Sequence, residues 1–121
     1  MATKSDFDSQ QTLDDGVIDK LRRDMGDDAV MVIESFVESI DEFLSDIENR
    51  TSATPSNELH RWAHTIKSSA ASIGAMRLAY LAAQLEESYR KRVQIDLGRQ
   101  LQFMQQEYRR VNDSLEKLGG S

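Results

Sequence analysis

Apolar residues recur along this chain at three- and four-residue steps, the period of helices that each bury one stripe. The most regular run is Ile33, Phe36, Val37, Ile40, Phe43, Leu44 and Ile47. Glu34, Glu38, Asp41 and Glu42 stay off its centre and read as a solvated face, and the Asp27-Asp28 pair ahead of it reads as a cap pair. Upstream, Val17, Ile18 and Leu21 predict a short helix from Leu13, with Asp14 or Asp15 near its start and Gly26 as its stop. It is too short to be stable alone.

A third stripe, Leu59, Trp62, Ala63, Ile66, Ala70 and Ile73, follows the turn cluster T-S-A-T-P-S-N at 51–57. There Thr54 is suited to cap and Pro55 to take the first helical position, and Gly74 is placed as a left-handed terminator. Leu78, Leu81, Ala82, Leu85 and Tyr89 mark a fourth helix, and the polar Arg90–Gln94 stretch reads as a turn. Leu97, Leu101, Met104, Tyr108, Val111, Leu115 and Leu118 alternate steps of four and three, which predicts one long final helix.

Four substantial helices with short connections and one stripe each are best satisfied by an all-α fold. The expected form is an antiparallel four-helix bundle, up-down-up-down, with a short additional N-terminal helix across one end. Residues 1–12 are polar and aperiodic and read as a flexible tail, 13–118 as one domain, and 119–121 as a frayed C-terminus.

One face of the third helix is not explained by packing. At about 100° per residue, His64 falls roughly 140° from the stripe centre, Lys67 roughly 80°, His60 roughly 100° and Ser68 roughly 180°. His64 therefore looks outward. One turn on, Ser68 and Ala71 are small where a solvent face normally carries Lys, Glu or Gln, so the imidazole is uncovered. Lys67 can swing its ammonium toward negative charge placed on the ring. The H-x-x-K spacing alone is more often an ordinary polar face than a site.

Composition removes several classes of function. A chain of 121 residues has room for one core. It has no Cys, so neither a disulfide framework nor thiolate-bound zinc is available. No apolar signal sequence opens it and no eighteen-residue apolar run occurs, so no membrane span and a cytoplasmic protein are expected. The net charge of −6 is uneven, with 14 acids and 4 bases in residues 1–49 against 7 acids and 11 bases in 50–121. That disfavours nucleic acid as a partner, and Arg90, Lys91 and Arg92 read as a solvated helix end.

His60 and His64 have i, i+4 spacing, but H-R-W-A-H lacks the glutamate of H-E-x-x-H and an evident third ligand, so no metal site is expected. Trp62 reads as packing. Ser68 and Ser69 have no adjacent base for nucleophile activation. Without a phosphate-cradling glycine loop, ATP binding and autonomous kinase activity are not expected. The last helix has one stripe, which the bundle itself needs, so a monomer is the simpler reading.

The run His64-Thr65-Ile66-Lys67-Ser68-Ser69-Ala70-Ala71-Ser72-Ile73-Gly74-Ala75 resembles the signature of histidine-containing phosphotransfer (HPt) domains, roughly H-x-L-K-G-S-[SA]-x-x-[LIF]-G-A. The resemblance spans Leu13 to about Leu118, taking in the E-x-F-x-E-x-I texture from Glu34 to Ile40 and the Leu78/Leu81/Leu85-Glu86 helix. It implies a phosphorelay intermediate. His64 would accept a phosphoryl group from an aspartate on the receiver domain of a hybrid sensor kinase and pass it to an aspartate of a response regulator. Lys67 would neutralise the phosphate, with His60, Arg61, Ser68 and Ala71 as the surrounding surface. The wording K-S-S-A-A-S also resembles the small quorum-sensing relay proteins of the LuxU type.

Two positions depart from the family. Ser68 stands where Gly is usual, which makes the docking surface fuller or offers a hydroxyl to the imidazole or phosphate. Glu86 aligns where some members carry a Gln hydrogen-bonded to the ring. A neutral imidazole, with a reference pKa near 6.5, attacks phosphorus through its unprotonated nitrogen. If Glu86 accepts from the other nitrogen, it fixes the tautomer. The chain offers no compact Asp cluster near His64, so it is expected to have no cofactor of its own, and the divalent cation is expected on the partner receiver domain. Recognition would use an apolar patch with polar edges, for which Val17, Leu21 and Tyr80 are candidates. The alternative is a helical adaptor that binds a receiver domain without being phosphorylated.

Overall fold

The computed structural model describes residues 12–49 and 57–118. The expected tail up to Gln11, the Thr54/Pro55 helix start and the 119–121 end lie outside the described residues, as does the side chain of Leu118. Five α-helices follow in order: α1 (Asp15–Met25), α2 (Ala29–Glu48), α3 (Asn57–Ser72), α4 (Met76–Arg90) and α5 (Leu97–Leu118), with a 3-10 turn (Gly26–Asp28) between α1 and α2. No strand occurs among the described residues. Helices α2 to α5 form the expected antiparallel bundle, in which α3 packs most extensively on α4 and next on α2, while α5 closes against α4 and α2.

The stripes meet in one core. Ile40, Leu44 and Ile47 of α2 face Leu59, Ile66 and Ala70 of α3, and Leu78, Leu81 and Leu85 of α4 complete it with Met104 and Val111 of α5. Burying each such Leu or Ile contributes about 1.5–3 kcal/mol. Ala63, Ala70 and Ala82 are fully buried and Ser69 nearly so, and small side chains let α3 and α4 approach closely. The site described below spans that close pair.

Short-range chemistry sets the helix ends. Asp14 caps α1, its Oδ1 accepting from the Gly16 amide at 2.9 Å, and Gly26 ends the helix at φ +55°. The Asp27-Asp28 pair does not cap α2 as expected. Asp28 itself has helical dihedrals (φ −78°, ψ −11°), because the chain enters α2 directly from the 3-10 turn, and its side chain makes no capping bond. Asp96 is a cap that the sequence reading missed, its Oδ1 accepting from the Arg99 amide at 3.1 Å.

At the α3–α4 turn, Gly74 has φ +78° and its carbonyl accepts from the Asp14 amide at 2.7 Å. The Ala75 amide returns to the Ala70 carbonyl at 2.8 Å, closing the end of α3. This turn anchors α1 across the end of the bundle. Two side chains depart from the stripe reading. Tyr89, read as the last core residue of α4, is only half-buried and turns toward α3. Glu107 lies within the apolar face of α5 and is 2% exposed, with Arg110 Nη1 at 3.3 Å and Arg77 Nε at 3.7 Å from its Oε1.

Candidate functional site

Helix α3 alternates anchoring and display over one turn. Ala63 and Ile66 are fully buried, which turns the intervening His64 outward with 57% of its side chain exposed. Lys67 follows one turn on, half-buried. From α4, the buried Leu85 fixes the rotation that places its neighbour Glu86 at the edge facing α3, where only 15% of the side chain is exposed.

These residues converge on the Glu86 carboxylate. Its Oε2 lies 2.5 Å from His64 Nδ1, and its Oε1 accepts a hydrogen bond from the Lys67 ammonium. An ionised carboxylate only accepts, so Nδ1 carries the proton and the lone pair resides on Nε2. Nε2 has no hydrogen-bond partner among the described residues. An imidazole held in this way turns Nε2 outward, with a cation one turn away.

Burial is the largest single influence on Glu86 and acts to raise its pKa. The hydrogen bonds from Lys67 and His64, with the charges of the same groups, outweigh it and hold the carboxyl below its ordinary value of 4.5.

His60, expected only as surrounding surface, belongs to the same network. Its Nε2 is 3.7 Å from Glu86 Oε2, its ring lies 4.8 Å from that of Tyr89, and it is nearly parallel to the His64 ring at 6.5 Å. Tyr89 donates its hydroxyl proton to Asn57 Oδ1. The sequence reading missed Tyr89 and Asn57 as site residues, although Tyr89 is three residues after Glu86 and so shares its face.

Arg61, Ser68 and Ala71 are exposed as expected. Of these, Arg61 and Ser68 offer backbone carbonyls to Thr65 Oγ1 at 3.0 Å and Ser72 Oγ at 2.9 Å, and no hydrogen bond joins the Ser68 hydroxyl to the imidazole among the described residues. Val17 packs at Gly74, about 15 Å along α3 from His64, so Val17 does not border the imidazole. A groove of about 970 Å³ between α1, α2 and α5 contains no residue of α3 or α4, and so stands apart from this chemistry.

Among the described residues, no group of three or more His, Cys, Asp or Glu side chains is arranged to hold a metal ion. At Glu86 one oxygen is bonded to the Lys67 ammonium and the other to a protonated ring nitrogen. No described helix is long and apolar enough to cross a membrane.

Comparison with known proteins bears on the same region. The family model described as "Hpt domain" matches residues 31–118. Among solved structures, the chain is similar to histidine-containing phosphotransfer protein B (HptB) from Pseudomonas aeruginosa PAO1. The TM-score is 0.81 and the identity 27%, over 90% of this chain and 95% of that one. A search of curated proteins by sequence finds no match.

Proposed function

This chain belongs to the Hpt domain family, and from that membership we propose that His64 is its phosphoryl-carrying residue, in a relay between two receiver-domain aspartates. The observation that carries this reading is the bond from His64 Nδ1 to Glu86, which leaves Nε2 outward with its lone pair.

In the forward step, Nε2 of His64 attacks the phosphorus of an aspartyl phosphate on the donor receiver domain. The N–P bond forms as the P–O bond to the aspartyl carboxylate breaks, and that carboxylate leaves as the anion. Glu86 keeps the Nδ1 proton in place and disperses positive charge that develops on the ring. Lys67 shifts part of its contact from Glu86 to the incoming phosphoryl oxygens. The reverse geometry, with the aspartate of a response regulator as nucleophile, discharges the imidazole. The divalent cation that phosphoryl transfer uses is supplied by the receiver domain.

The exposed, small Ser68 and Ala71 support close approach of a partner to the ring, with Ser68 making that surface fuller than a glycine would. The relay domain is taken as residues 13–118, acting as a monomer in the cytoplasm and without kinase activity of its own.

The test is phosphoryl uptake from phosphoramidate or from a phosphorylated receiver domain, read by intact mass in the wild type and in His64→Gln. Uptake that is lost in His64→Gln, with a product stable to base and labile to acid, supports the relay. No uptake, with receiver binding retained in the variant, replaces it with the adaptor reading.

A further inference from the structure

Glu86 has three cation-capable neighbours, and the chemistry above uses two of them. The third is His60, one turn before His64, with Nε2 at 3.7 Å from Oε2. Its ring rests against Tyr89, which is itself held by its bond to Asn57. The imidazole is therefore held just beyond hydrogen-bond range of the carboxylate. With 36% of its side chain exposed, it can exchange protons with water.

In the unphosphorylated protein Lys67 compensates the charge of Glu86. A phosphoryl group on Nε2 of His64 brings about two negative charges within reach of the same ammonium. The ring, keeping its Nδ1 proton, gains one positive charge, so the site becomes more negative by about one charge. As Lys67 is drawn toward the phosphoryl oxygens, the ring cation alone stays on Glu86. The site as a whole then carries uncompensated negative charge, which at 15% exposure of the carboxylate water offsets poorly. His60 is the cation-capable group already in place.

We propose that His60 is a positioning residue that takes up one proton from solvent when His64 is phosphorylated. As an imidazolium it succeeds Lys67 as the counter-cation of Glu86 and keeps that carboxylate on Nδ1 of His64. The proton binds at the His60 nitrogen that does not face Glu86, while Nε2–H donates to Oε2, and it returns to solvent when the phosphoryl group leaves. The inference rests on His64 being the phosphoryl carrier.

The titratable groups facing His60 are Glu86 and Tyr89 from α4 and His64 from its own helix. Arg90, close enough to sense the charge of Glu86, opposes the uptake. Helix α2 gives His60 no ion pair, hydrogen bond or ring contact among the described residues.

The experiment uses the full chain, phosphorylated with phosphoramidate and followed by intact mass and by imidazole ¹⁵N NMR, beside His60→Gln, His60→Lys and His64→Gln. At about pH 7.5 the His60 nitrogens should move toward the imidazolium pattern when His64 is phosphorylated. The wild-type phosphoryl half-life should exceed that of His60→Gln about threefold near pH 6.5, the ratio falling toward one near pH 9. The ratio of His60→Lys to His60→Gln should stay above one throughout, because lysine keeps its charge over this range. Taking ratios removes the acid lability common to all phosphoimidazoles. Unmoved His60 nitrogens, or a flat wild-type ratio, overturn the proposal and leave His64 as the carrier. No mass increase in the wild type overturns both.

Discussion

Nδ1 of His64 lies 2.5 Å from Oε2 of Glu86, and the same carboxylate holds Lys67 through its other oxygen. One side chain of α4 thereby sets the tautomer of an imidazole on α3 and parks the neighbouring cation. The bond crosses the interface where Ala63, Ala70 and Ala82 bring the two helices together, so its length is governed by core packing. Imidazole orientation and bundle packing are coupled at this point.

Removing the carboxylate should uncouple them. Glu86→Ala is expected to slow phosphoryl uptake from phosphoramidate roughly tenfold, the low end of the loss when a carboxylate that orients a metal-bound histidine is removed. Glu86→Gln should lose less, because its amide oxygen still accepts from Nδ1 while its hold on Lys67 weakens. Time courses by intact mass distinguish the two, and a Glu86→Ala rate equal to wild type would show that the imidazole needs no orientation.

The same contacts set an acid limit. Burial raises the pKa of Glu86 and is the largest single influence, but the bonds from Lys67 and His64 prevail and the folded value lies below the ordinary 4.5. Between the folded and unfolded values the unfolded chain binds more protons, so stability rises with pH across that window. The contribution is complete above the unfolded value and is lost as pH falls through the folded one. With Lys67 partly exposed it amounts to about 1 kcal/mol. The difference in urea midpoint between wild type and Glu86→Gln should shrink as pH falls below about 4.5.

The helices were legible because burial follows period: Ile40, Leu44 and Ile47, or Leu78, Leu81 and Leu85, can share one face only in a helix. His64 and Lys67 were legible for the complementary reason, since they break the pattern of an otherwise ordinary helix surface. The carboxylate at their centre was reachable only through family resemblance, because the pairing of Glu86 with His64 depends on the relative rotation of two helices. Glu107 was hidden by the same limit. A single glutamate within the stripe of α5 has no periodic signature, and its burial beside Arg77 and Arg110 is a property of the assembled bundle. The failed Asp28 cap is local, yet the sequence does not show that a 3-10 turn leads straight into α2.

Between α4 and α5, Arg92 has φ +55°, a left-handed conformation that disfavours a side chain, and it is exposed. The turn is closed by backbone bonds from the Arg92 amide to Tyr89 at 3.0 Å and the Val93 amide to Ser88 at 2.9 Å. Arg92→Gly keeps those bonds and removes the steric penalty of about 1 kcal/mol, partly offset by the greater freedom of glycine in the unfolded chain. A net gain of about 0.5 kcal/mol is expected, read as a Tm rise of roughly 2–4 °C. A fall in Tm would show that the Arg92 side chain makes a compensating contact.

Gly74 should behave in the opposite way. Its φ of +78° disfavours any side chain, and a Cβ there would lie 2.9 Å from the Asp14 carbonyl oxygen and 3.0 Å from Val17 Cβ. Backbone cannot swing aside as a flexible side chain can, so Gly74→Ala combines a left-handed penalty of about 1 kcal/mol with displacement of α1. A total of about 2–3 kcal/mol is expected, lowering Tm by roughly 10 °C or more. The loss should be local in origin. Exchange protection of the Asp14 amide, which donates to the Gly74 carbonyl, should fall before that of the α3 core amides. Phosphoryl uptake measured well below the new Tm should persist, because Gly74 is about 15 Å from His64 along the helix axis. Equal loss of protection throughout α3 would mean that α1 docking and the phosphoryl site form one cooperative unit.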